Sequence, residues 1–175
     1  MLKLWCLTWL REKSLRDTFY YPQHLVQKLE QAIGRTANLL VIVVPNEDIG
    51  KAIKEKYLLE SMQYIDISLA LSRNLSFVTS QHRSQASIEF FRHLSSKKEA
   101  LPLFLDNLGI LFDFSLELTP LKLLRELAKH RNVVAVWQGS VVDGIWLQYA
   151  KPNHQEYCRE MIESNFTVVD FCYEI

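Results

Sequence analysis

The chain predicts an α/β fold with a mostly parallel sheet and helices on both faces. Three observations predict it. The runs "NLLVIVV" (38–44), "ALPLFLD" (100–106) and "NVVAVWQ" (132–138) are continuously apolar, as strands buried on both faces of a parallel sheet must be. Amphipathic helical patterns separate them, which is how βαβ units read in sequence. A length of 175 residues with 49% hydrophobic residues gives one domain with a full core.

Residues 1–22 read as an N-terminal extension and 23–175 as a single domain. In 23–36, Leu25, Leu29, Ala32 and Ile33 recur at helical spacing. The 38–44 strand leads through "PNEDIGK" into a helical "KAIKEKYLLESM". "YIDISLA" (64–70) alternates like a strand at first. In "SQASIEFFRHLSS" (84–96), Ile88, Phe91 and Leu94 share one helical face. After the 100–106 strand, "TPLKLLRELAKH" reads as a helix with Thr119 as N-cap and Pro120 in its first turn; His130 and Arg131 fall near its end, where positive charge suits the dipole. The 132–138 strand is followed by "VVDGIWLQYA", whose Asp143-Gly144 pair predicts a C-terminal β-hairpin. "FTVVDFCYEI" closes the chain as an edge strand.

Lys+Arg and Asp+Glu are 20 each, so there is no general attraction to nucleic acid or to a membrane surface. The apolar start "MLKLWCLTWLREK" is too short to span a bilayer, and no small-residue cleavage site follows it. Cys6, Cys158 and Cys172 stand far apart, which points to a reducing compartment rather than a disulfide framework. The five histidines show no metal-ligand spacing, so no zinc is expected.

The candidate chemistry lies in "VIVVPNEDIGKAI" (41–53). A strand, a turn, Gly-Lys and a helix follow one another as in a phosphate-binding loop of the P-loop NTPases, whose backbone N–H groups and lysine cradle phosphates and whose Ser/Thr hydroxyl binds Mg²⁺. Gly50 and Lys51 fit the last glycine and the lysine. Pro45 stands at the first glycine position, where it has no N–H to donate, and Ala52 at the hydroxyl position. Glu47 and Asp48 add repulsion. A carboxylate about 5 Å from a phosphate charge costs on the order of 3 kcal/mol at an effective dielectric of about 20.

Asp106, at the end of an apolar strand, occupies the place of the acid that holds Mg²⁺ through water in such proteins. Asn107 follows it, and an amide cannot take the proton of an attacking water. Gln138 and Ser140 end the third strand, where a polar side chain senses a γ-phosphate or simply serves a turn. Asp113 reads as a loop cap and Arg131 as a solvated helix-end charge, with an arginine-finger role as the alternative. Trp137, Trp146 and Tyr149 read as core around the hairpin, with an exposed partner patch as the alternative.

The segment "LPLFLDNLGILFDFSLELTPLKLLRELAKHRNVVAVWQGSVVDGIWLQYAKPNHQEY", together with "YIDISLALSR", resembles the small P-loop protein BrxF of BREX phage-defence systems. The features in common are "LDN" before "LFD", the "PLKLL" helix, "RNVVAVWQGS" and "YAKPNHQEY". The resemblance runs over about residues 23–159 and leaves both ends uncovered. It implies a RecA-like or AAA-like core, a cytoplasmic place in antiviral defence and larger protein partners. It implies nucleotide binding at Gly50, Lys51 and Asp106, with Asn107 matching the residue after the acid, and ATP and Mg²⁺ as cofactors. The departures at Pro45, Asp48 and Ala52 predict a degenerate site with weak or no hydrolysis.

Three expectations of function follow. The first is an accessory subunit of a BREX-like system with a structural or regulatory role and DNA contact only through the complex. The second is an active Mg²⁺-dependent ATPase of the same system. The third is an α/β protein outside that family, with another ligand or none, which a sheet order that keeps Lys51 and Asp106 apart would support.

Overall fold

The structure is a computed structural model that describes residues 38–57, 62–96 and 101–172, and Gln27. The expected helix over 23–36 and the extension over 1–22 lie outside the described residues, as does Cys6.

The 38–44 run forms β1 (Leu39–Val44), with all six side chains buried. It lies near the middle of a five-stranded sheet of order β2-β3-β4-β1-β8, made with β2 (Gln63–Asp66), β3 (Leu103–Asp106), β4 (Val133–Gln138) and β8 (Thr167–Asp170). Every pairing in it is parallel. β8 is an edge strand, as expected.

Alternate residues of β1 feed two cores. Leu40, Ile42 and Val44 meet Ile49 and Ile53 of helix α1 (Glu47–Tyr57). Leu39, Val41 and Val43 meet a larger cluster on the other face. That cluster takes Ile67, Leu71 and Leu75 from α2 (Ile67–Leu75), Phe91 and Leu94 from α3 (Arg83–Ser95), and Leu121, Leu124 and Leu127 from α4 (Pro120–Ala128). Helices therefore cover both faces of the sheet, and each fully buried aliphatic side chain contributes about 1.5–3 kcal/mol.

Local chemistry overturns two expectations. The strand expected over 64–70 stops at Asp66, whose Oδ1 accepts from Leu69 N at 2.8 Å and caps α2. That cap, with Ile67, Leu71 and Leu75 at helical spacing, outweighs the short alternation of "YIDI". Thr119 does precede α4, but its side chain makes no cap bond. Glu160, from β7 (Cys158–Met161), accepts from Leu121 N at 3.0 Å instead. Burial raises the Glu160 pKa, and the Leu121 N–H and the Cys158 thiol pull against that rise.

After β4 the chain leaves the parallel sheet at Gly139. A Cβ there would lie 2.0 Å from the Gln148 carbonyl oxygen, so only glycine fits. The chain then builds a three-stranded antiparallel sheet from β5 (Ser140–Val142), β6 (Trp146–Tyr149) and β7. Asp143 (φ 54°) and Gly144 (φ 70°) make the tight turn between β5 and β6. Trp137 is fully buried, edge-on to Phe112 at 5.0 Å between ring centroids, and Phe112 stacks on Tyr149 at 3.7 Å. Trp146 is half-buried beneath the Arg159 guanidinium, 4.8 Å from its ring. Among the described residues no helix is long and apolar enough to cross a membrane.

Candidate functional site

The candidate site is built where β1, β2, β3 and β4 end, the edge at which parallel sheets offer ligands their loops. Its first part is the start of α1. The expected phosphate loop is absent there: β1 stops at Val44 and the helix begins at Glu47. Asn46 caps it, with Oδ1 accepting from Ile49 N at 3.1 Å and its carbonyl from Gly50 N at 3.4 Å. Asn is a strong N-cap, and Glu47 and Asp48 in the first turn suit the positive end of the helix dipole. These local preferences win over the Gly-Lys pattern and place Gly50 and Lys51 inside the helix.

Gly50 faces the sheet. A Cβ there would stand 3.4 Å from Val136 Cγ1 and 3.7 Å from Val44 Cγ2, ordinary van der Waals contact, so the packing of α1 on the sheet leaves room for a methyl. The Lys51 ammonium is 3.6 Å from Glu47 and 4.0 Å from Asp48, with all three side chains 60–80% exposed. The acids that sequence reasoning set against a phosphate thus serve as partners of Lys51.

The second part surrounds Asp106, the last residue of β3. Its Oδ1 accepts from Asn107 N at 2.8 Å and its Oδ2 from the Tyr64 hydroxyl at 3.2 Å. Lys54 Nζ is 3.9 Å from that same Oδ2, donates to Tyr64 Oη at 3.5 Å and lies 4.8 Å from the centroid of the Tyr64 ring. The Tyr64 phenol is pushed up to about 12, first by burial and then by the charge and hydrogen bond of Asp106, so it stays protonated and donates.

A third part ties β2 to β3. Asp66 and Asp106 are register partners on the two strands. Asn107, in the left-handed region at φ 51°, donates from Nδ2 to Asp66 Oδ1 at 3.2 Å. Its carbonyl accepts from Ser68 N at 3.0 Å and Ser68 Oγ at 2.7 Å, and Ser68 Oγ accepts from Ile110 N at 3.1 Å. A Cβ on Gly109 would lie 3.7 Å from both Ser68 Oγ and Tyr149 Oη, so the two hydroxyls converge beside this glycine. Sequence reasoning missed Lys54, Tyr64, Asp66 and Ser68. The only signal for them was Asp66 just ahead of a helical pattern, since the other contacts join residues far apart in the chain.

The remaining candidates separate. Gln138 ends β4 opposite Val44, whereas Ser140 opens β5 opposite Gln148 in the other sheet. Asp113 is a loop cap, accepting from Ser115 N at 2.8 Å. Arg131 is neither solvated nor poised to reach a neighbour. It is buried at the opposite end of the sheet, donating to the carbonyls of Leu94 (3.1 Å) and Leu101 and to the Gln63 side chain (3.2 Å). The thiols of Cys158 and Cys172 are each pushed up to about 12, chiefly by burial, which leaves no thiolate there at neutral pH. Among the described residues no group of three or more His, Cys, Asp or Glu side chains is placed to hold a metal ion. A groove of about 430 Å³ runs between α3 and α4, floored by Phe91, Leu123 and Leu127, and none of Lys51, Lys54 or Asp106 lines it.

Asn46 Oδ1 answers the Ile49 N–H of the first turn of α1, Lys51 faces carboxylates of its own helix, and both oxygens of Asp106 have partners. A scan of protein-family models and a search of curated proteins find no match to this chain.

Proposed function

We propose that this protein is an accessory subunit of a bacterial, BREX-like phage-defence system, built on a P-loop-like core with a retired nucleotide site. Its role is structural or regulatory, its partners are the larger proteins of that system, and DNA reaches it only through them. One observation carries the loss of nucleotide binding: α1 begins at Glu47, so Lys51 sits within a helix beside Glu47 and Asp48. The parallel sheet with helices on both faces is compatible with such a core. The resemblance over residues 23–159 supplies the defence context. Zero net charge agrees with indirect contact with DNA.

The second reading, an active Mg²⁺-dependent ATPase, is favoured by one feature: β1 and β3, which lead to Lys51 and Asp106, end at the same edge, with β4 between them.

Calorimetric titration of ATP, with and without Mg²⁺, into the protein and into Lys51→Ala separates the two. The first reading expects no binding at millimolar ATP. Micromolar binding that disappears in Lys51→Ala would establish the second. The defence role is tested by phage plating on cells carrying the neighbouring genes. Removing this chain should restore plating and Lys51→Ala should not; unchanged plating on removal sinks the role.

A further inference from the structure

The geometry points to Lys54 as a built-in counter-cation: its ammonium occupies the position beside Asp106 that a divalent ion would need, and so closes this strand edge to metal. The inference deepens the reading of a retired site, but it concerns metal alone and is tested without nucleotide.

Asp66 and Asp106 end adjacent parallel strands as register partners, so two carboxylates stand side by side at the sheet edge. Asp66 is answered by neutral donors, Leu69 N and Asn107 Nδ2. Asp106 is answered by Asn107 N, the Tyr64 hydroxyl and Lys54. Lys54 is the cation within 4.0 Å of that carboxylate among the described residues.

Its place is built rather than casual. Isoleucines 49 and 53 fix α1 against the sheet, and Lys54 follows Ile53 on the same helix. The Tyr64 ring supports the ammonium at 4.8 Å, and the Tyr64 hydroxyl accepts from it while donating to Asp106. The Lys54 and Asp106 side chains are only 29% and 17% exposed, so water screens this pair far less than the Lys51 pairs. An ion entering here would have to displace a tethered ammonium that meets Asp106 at no cost in translational entropy.

Lys54→Met tests this, because it keeps the apolar stem and the helix propensity and removes only the charge. Thermal unfolding is followed for the wild type, Lys54→Met, Lys54→Arg and Lys54→Met/Asp106→Asn, in 10 mM MgCl₂ (about that level) or NaCl of equal ionic strength. Lys54→Met is expected to unfold about 2–4 °C lower than the wild type in NaCl and to recover most of that in MgCl₂. The wild type, Lys54→Arg and the double variant should respond alike to the two salts. A wild type that gains as much from Mg²⁺ as Lys54→Met overturns the inference, because the edge then admits metal despite Lys54. A Lys54→Met protein that is no less stable, or whose loss Mg²⁺ does not restore, overturns it too. Should Lys54→Met fail to fold, Lys54→Gln replaces it with the same criteria.

Discussion

Lys51 and Lys54 lie three residues apart on α1, and the contrast between them separates a surface charge from a structural one. Lys51 stands 60% exposed beside Glu47 and Asp48, two acids of its own helix that are themselves free to turn into water. Such pairs are screened and contribute about 0.3–0.5 kcal/mol each at best. Lys54 is 29% exposed, is supported by an aromatic ring and meets the carboxylate at the end of β3. The residue that sequence patterns single out is thus energetically minor, and its unremarked neighbour joins α1, β2 and β3. Burial makes the difference, because the same charge pair interacts more strongly as solvent is removed.

The comparison breaks most directly at Asp106. Asp106→Asn keeps the shape but removes the charge that Lys54 and Tyr64 answer. It should cost about 1–2 kcal/mol in urea unfolding, toward the low end of what hydrogen bonds to charged groups contribute. The same variant should lower the Tyr64 phenol from about 12 toward its ordinary value of 10.0, read by ultraviolet absorbance against pH. The sign of the linked stability follows. The folded pKa lies above the unfolded one, so the contribution is fully present below pH 10.0 and is lost as pH rises toward about 12. A phenol still titrating near 12 in Asp106→Asn would show that burial acts alone.

Gly50→Ala sharpens the contrast with an effect of opposite sign. A glycine inside a helix costs about 1 kcal/mol relative to alanine. The new methyl would meet Val136 Cγ1 at 3.4 Å, which is ordinary contact, so the variant should be more stable by up to about 1 kcal/mol. A clear loss of stability would mean that α1 cannot accept the methyl and that the spacing to β4 is tighter than the contacts imply.

The smallest effect belongs to Lys51. Lys51→Ala should change unfolding free energy by less than about 0.5 kcal/mol, and half-molar salt should erase the change. A loss as large as that of Asp106→Asn would remove the distinction between the two lysines.

Much of the frame was legible in advance. β1, β3 and β4 fall inside their apolar runs, α4 falls inside its pattern and α3 matches its own to within a residue, because an unbroken apolar run and a 3.6-residue stripe each leave one way to bury apolar surface. The start of α1 was also written locally, in Asn46 followed by Glu47 and Asp48, but the Gly50-Lys51 pair suggested a loop at the same place. Asp66 ahead of α2 was a similar cap signal hidden by alternation. Both cases favour reading caps before motifs.

Other features had no local signal. Glu160 caps α4 from a strand of the second sheet, and Arg131, placed by sequence at a solvated helix end, is locked among carbonyls from two segments and the Gln63 side chain. By itself the sequence determined that a parallel sheet forms and which runs enter it, because periodicity and branching act within a few residues. Only the tertiary structure decided that Lys54, Tyr64 and Asp106 would meet while Lys51 stayed with its own acids. That outcome depends on which strands become neighbours and how much water remains between their ends, and neither is encoded in the spacing of any motif.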